Sequence, residues 1–125
     1  GRADWLQVDL YDAAARGPVY DDVEFYSMCR RALESPGVAS FNLFGRSFGP
    51  SFAAISEAFG GRVLALPEVA EGNRIVLAAA GPRIELDFTE LYERAQAIEV
   101  VWRLPARRWL AGLRAQNELA GELIL

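Results

Sequence analysis

At 125 residues and 52 % hydrophobic composition, the chain is long enough to bury the core of one domain and too apolar to stay disordered. With no His and a single Cys it cannot build a Ser-His-Asp or Cys-His centre, or the usual zinc site. A net charge of −4 argues against a nucleic-acid face, and no apolar run approaches the ~18 residues of a membrane span.

No charged segment leads into an apolar one at the start, so no secretory leader is expected. All 13 basic residues are Arg, which reads as compositional bias. Taken in chain order, WLQVDL (5–10) has strand composition and is too short for a helix. DDVEFYSMCRRALE (21–34) has helical spacing, with Arg30 and Arg31 placed to suit the negative end of the helix dipole. Cys29 falls on this helix and reads as a buried structural thiol, compatible with a reducing cytoplasm. SPG stops the helix, and GVASFNLF (37–44) is the next strand. SFGPSFAAISEAFGG (47–61) predicts a helix that starts near Pro50 or Ser51 and ends at the Gly pair. RVLALP (62–67) and RIVLAAA (74–80) are strands around a turn, and can pair antiparallel. IELDF (84–88) is ambiguous, but Asp87 or Thr89 can cap a helix over 90–104. Pro105 can start a last helix at ARRWLAGLRAQ, and the tail NELAGELIL extends that helix or packs beside it.

The order β-α-β-α-β-β-α-α predicts an α/β fold with a mostly parallel sheet and one reversed strand from the final hairpin. One domain is expected over 1–125, with an α/β part to residue 80 and a helical extension over 81–125. Ligands of open sheets sit outside the carboxyl ends of the strands. Asp9 and Asp12 lie there after the first strand, and Asn42 lies near the end of the second, on the same edge if the two strands are parallel neighbours. Taken alone, two Asp after a strand also suit a simple turn. Asp21 and Asp22 fit the N-terminal charge of a helix better than a metal site. GRSFGP (45–50) lacks the Lys and spacing of a phosphate loop, and PARRW (105–109) reads as a solvated helix face.

DLYD (9–12), GPVY (17–20), EFY (24–26) and the strand headed by Gly37-Val38 follow one another in a set order, and ALPEVAEGNRIVLAA (65–79) closes it. In this set, roughly residues 4 to 80, the chain resembles the C-terminal half of spermidine synthases and related aminopropyltransferases, which have a class I methyltransferase-like Rossmann core. The resemblance implies transfer of an aminopropyl group from decarboxylated S-adenosylmethionine, a co-substrate, to an amine. It implies no resident cofactor and no metal. Carried over by position, it makes Asp9 the general base on the attacking amine and Asp12 the holder of that cation, with Tyr11 beside them. Pro18, Val19 and Tyr20 would lie near the adenine. The chain departs from the pattern in having D-L-Y-D-A without the small hydroxyl residues or the proline, and Val69 where many members carry a Tyr for the diamine.

The Gly-rich loop and ribose-binding acid of the family's earlier half do not occur in these residues, so no turnover is expected from them alone. Two other functions stay open: a methyltransferase-fold enzyme using S-adenosylmethionine itself, and a non-catalytic oligomerising domain. The expected partners are a small amine and the adenosyl co-substrate, with no nucleic acid and no membrane. Residues 5–10 form an apolar strand without Pro or Lys to protect its edge, so the chain is expected to self-associate, most simply as a two-fold dimer.

Overall fold

The structure is a computed structural model that describes residues 2–9, 11, 20–45, 48–69 and 72–125. Its elements run β1 (Ala3–Val8), α1 (Val23–Arg31), β2 (Leu33–Phe44), α2 (Phe48–Ala58), β3 (Val63–Ala65), β4 (Asn73–Ala80), β5 (Glu85–Asp87), α3 (Phe88–Trp102), α4 (Ala106–Gln116) and β6 (Glu122–Ile124).

β1 to β4 form one sheet in the order β1-β2-β4-β3. β1 and β2 pair in parallel, and β4 runs antiparallel to both β2 and β3. Inserting β4 between β2 and β3 leaves one parallel pair and two antiparallel ones. The sheet is therefore mixed by pairing, while β1, β2 and β3 share one direction and β4 is the one reversed strand expected from the final hairpin.

The period of two along a strand assigns each side chain to a face. Ala39, Phe41 and Leu43 of β2 and Val76, Ala78 and Ala80 of β4 are buried under Tyr26 and Cys29 of α1, Ile55 and Ala58 of α2, and Phe59. Leu6 and Val8 of β1 pack against the same cluster. The alternate positions Leu77 and Ala79 join Leu64 of β3 on the opposite face, where Leu110 and Leu113 of α4 and Leu125 cover them.

Helix ends follow local chemistry. Asp22 caps α1 by accepting from the Phe25 N–H at 2.7 Å, and Asp87 caps α3 by accepting from the Thr89 N–H at 2.7 Å. Asp21 accepts from the Tyr26 hydroxyl at 2.7 Å and from the Ser51 hydroxyl at 2.9 Å, which ties α1 to α2. Burial, followed by the hydrogen bond to Asp21 and its charge, pushes the Tyr26 hydroxyl well above its ordinary range, so it stays a donor. Burial likewise raises the Cys29 thiol. The Asp pair is thus a cap and a brace.

The tail does not extend the last helix but packs beside it, with Leu119, Leu123 and Leu125 against Leu110 and Leu113. β6 pairs antiparallel with β5, with Glu85 opposite Ile124 and Asp87 opposite Glu122. Helix α4 stops because Glu118 takes a left-handed backbone, φ 52°, and the chain then turns back toward β5. The segment after residue 80 is therefore two helices framed by a short two-stranded sheet. No helix among the described residues is long and apolar enough to cross a membrane.

Candidate functional site

Parallel pairing of β1 and β2 puts Val8 opposite Phe41, so the residues that follow, Asp9 and Asn42, emerge side by side at the carboxyl ends. The Asn42 amide Nδ2–H donates to Asp9 Oδ2 at 3.2 Å. A carboxylate accepts and cannot donate, so this bond fixes the amide orientation and turns Asn42 Oδ1 away. That oxygen is buried and has no hydrogen-bond partner among the described residues. A buried carbonyl oxygen without a donor is costly, by about 1–3 kcal/mol, and is best satisfied by an N–H from elsewhere.

Asp9 and Asn42 line a cleft of about 780 Å³ on the α4 face of the sheet. Gln7, Asn73 and Ile75 form its floor with them. One wall is the segment Leu66–Val69 at the end of β3, tied back by Leu66 N–H to Ile75 O at 2.8 Å and Val69 N–H to Asn73 O at 3.0 Å. Gly72, φ 82°, lets the chain return tightly into β4. The other wall is α4, through Pro105, Arg108, Trp109 and Gly112. These are spaced i, i+3, i+4, i+7, one stripe of a helix. Gly112 permits the closest approach, since a Cβ there would lie 3.0 Å from Pro67 Cγ.

Asn117 locks α4 in this position. Its side-chain amide accepts from the Ala65 N–H at 2.9 Å, donates to the Ala65 carbonyl at 2.7 Å, and donates to the Leu113 carbonyl at 2.8 Å. At the other end of the helix, Glu99 of α3 accepts from the Arg107 backbone N–H at 3.0 Å and from its guanidinium Nε at 2.7 Å. The bond from the backbone N–H of Arg107 and the bond and charge of its guanidinium hold the Glu99 carboxyl below the usual glutamate range.

The sequence-derived candidates are distributed as follows. Asp9 is exposed within the cleft. Tyr11 is half-buried beside it in sequence but belongs to the end of β2: its hydroxyl accepts from the Phe44 N–H at 2.6 Å, and its ring meets Phe44 edge-on. Tyr20 is 59 % exposed, stacks on Phe25, and closes a small void that Asn42 also lines. It thus shares the strand-end edge with Asp9 but lies on the α1 side. Asp12, Pro18 and Val19 lie outside the described residues. Among the described residues no cluster of ligating side chains could hold a metal ion. Arg108 and Trp109 are exposed, as the solvated helix face expected of PARRW requires, and that same face lines the cleft, which PARRW by itself does not indicate. The stripe spacing behind Pro105 was the available signal; which body faces it is a tertiary fact.

No protein-family model and no solved structure matches the chain. Two curated proteins do: the polyamine aminopropyltransferases of Neisseria meningitidis serogroup A and serogroup B, each 30 % identical over 121 residues, which is 95 % of this chain and 46 % of the relative. The chain is a distant homologue of the polyamine aminopropyltransferases, and it spans about half the length of the curated relatives it matches.

Proposed function

We propose that the cleft is the amine-acceptor side of a spermidine synthase-like aminopropyltransferase site, and that Asp9 is its general base. The observation that carries this reading is Asp9 itself: an accessible carboxylate at the carboxyl end of β1, held by Asn42 in a roomy cleft. The homology to polyamine aminopropyltransferases supports it. So does the order of β1, β2, β4 and β3, which fits the later half of a methyltransferase-type Rossmann sheet.

The chemistry follows from the charges. An amine arrives as an ammonium, which a carboxylate holds and then deprotonates. The freed nitrogen lone pair attacks the methylene carbon bonded to the sulfonium of decarboxylated S-adenosylmethionine. A C–N bond forms, the C–S bond breaks, and its electron pair stays on sulfur as a thioether. The proton ends on Asp9. Asp12, Pro18, Val19 and Tyr20 belong to the same reading, as second amine holder and adenine contacts. A cytoplasmic setting, with Cys29 kept as a free thiol, is also part of it.

In the protein carrying this chain, Asp9→Asn should lower turnover by ~10²–10⁴, the usual cost of losing a positioned base. Affinity for the thioether nucleoside product should stay near that of the wild type. Equal turnover in the variant, measured with the aminopropyl donor and a panel of amines, would remove Asp9 from the mechanism.

Self-association is a further part of the proposal. Among the described residues β1 has no strand on its outer side, and Trp5 is 56 % exposed. Such an edge invites pairing with a second copy. Sedimentation equilibrium at micromolar concentration should show a species heavier than the 13.8 kDa chain. A clean monomer would refute it.

A further inference from the structure

The cleft holds both signs of charge. Asp9 and Glu68 contribute carboxylates, and Arg108 contributes a guanidinium from the α4 wall. Among the described residues Arg108 makes no ion pair or hydrogen bond, whereas its neighbour Arg107 is committed to Glu99. A cation without a partner is unsuited to a cleft for simple diamines, because the distal ammonium would meet it with like charge. The same cation is well suited to a carboxylate, which a guanidinium can grip through two parallel hydrogen bonds. Apart from Glu68 the hairpin wall is apolar, through Leu66, Pro67 and Val69, and Trp109 adds to that surface. Methylenes would sit against it.

We propose that the acceptor amine also carries a carboxylate, so that the substrate class is an aminocarboxylate rather than a diamine. Resting on the amine-acceptor reading above, the assignment gives the ammonium to Asp9, the methylenes to Trp109 and Pro67, and the carboxylate to Arg108. Arg108 is then the residue that sets specificity. The transfer step is unchanged, and its product is an N-aminopropyl amino acid.

The test is calorimetric titration of the purified protein with ω-aminocarboxylates and diamines matched in methylene number, for example 5-aminopentanoate against 1,4-diaminobutane. Wild-type protein should bind the best aminocarboxylate at least about 10-fold more tightly than its matched diamine, the scale of one charge-assisted bidentate contact. Arg108→Gln should abolish that preference, and Arg108→Lys should keep part of it because the charge remains but the fork is lost. Arg108 is exposed and has no partner among the described residues, so circular dichroism of the variants should match the wild type. A diamine that binds as tightly as its matched aminocarboxylate, or a preference that survives Arg108→Gln, overturns the proposal. If the diamine binds and Asp9→Asn removes that binding, the amine-acceptor reading stands while the carboxylate assignment falls. If no member of either series binds, both fall.

Discussion

Replacing Asn117 by Ala removes three hydrogen bonds at once and leaves their backbone partners in place. The Ala65 N–H and carbonyl lose the amide that pairs with both, at 2.9 and 2.7 Å, and the Leu113 carbonyl loses a donor at 2.8 Å. Ala65 and Leu113 are buried, so water cannot replace the amide without opening the contact between α4 and β3. At a net ~0.5–1.5 kcal/mol for each bond, the loss should total about 2–4 kcal/mol. Against a usual domain stability of about 5–15 kcal/mol, that is a substantial share. Urea denaturation followed by circular dichroism should show the midpoint fall with an unchanged slope. Thermal unfolding should drop by roughly 10 °C for a chain of this size. Asn117→Asp should be at least as damaging, since it sets a carboxylate against two carbonyl oxygens. An Asn117→Ala variant within about 0.5 kcal/mol of wild type, the range of ordinary surface changes, would falsify the view that this amide locks the cleft wall.

Two other perturbations address the same wall. Gly112→Val would drive branched carbons into the Pro67 ring, which a Cβ alone already approaches to 3.0 Å. Overpacking of this kind should destabilise by about 1–3 kcal/mol and weaken amine binding by moving Arg108 and Trp109 outward, read by denaturation and calorimetry. Glu99 supplies a pH dependence: its folded-state value is depressed, so its contribution is present above the unfolded value and disappears as pH falls through the folded one. The protection of the Arg107 amide, taken relative to its intrinsic exchange rate at each pH, should therefore fall on acidification, and in Glu99→Gln that acid-dependent fall should be absent.

Much of the sheet was legible because its signals are local. Short apolar runs bounded by Gly, Pro and Asp gave β1, β2, β3 and β4, and the turn signal between 67 and 73 gave the antiparallel hairpin. The meeting of Asp9 and Asn42 followed from one assumption, that β1 and β2 are parallel neighbours, and the 3.2 Å bond between them bears that out. β6 could not be read the same way. It is three residues long, and its partner lies more than thirty positions earlier, so nothing in NELAGELIL marks it as a strand. The α4 wall was missed for a related reason. Arg108 and Trp109 look like surface residues on their own helix, and only the packing of Gly112 against Pro67 turns that surface toward Asp9.

The side-chain amide of Asn117 also settles which way the sheet can grow. Leu66 points its N–H inward to β4, so the N–H and carbonyl of Ala65 face outward, where another chain would add a strand. Asn117 occupies both, as a one-residue imitation of a pairing strand. The β3 side is therefore blocked at Ala65 from within the chain, and among the described residues β1 is the open side of the four-stranded sheet. Polymerisation by edge pairing needs two open sides on every unit, one to receive and one to pass on. A sheet with one open side joins once and terminates, so even at high concentration this edge cannot seed a fibre.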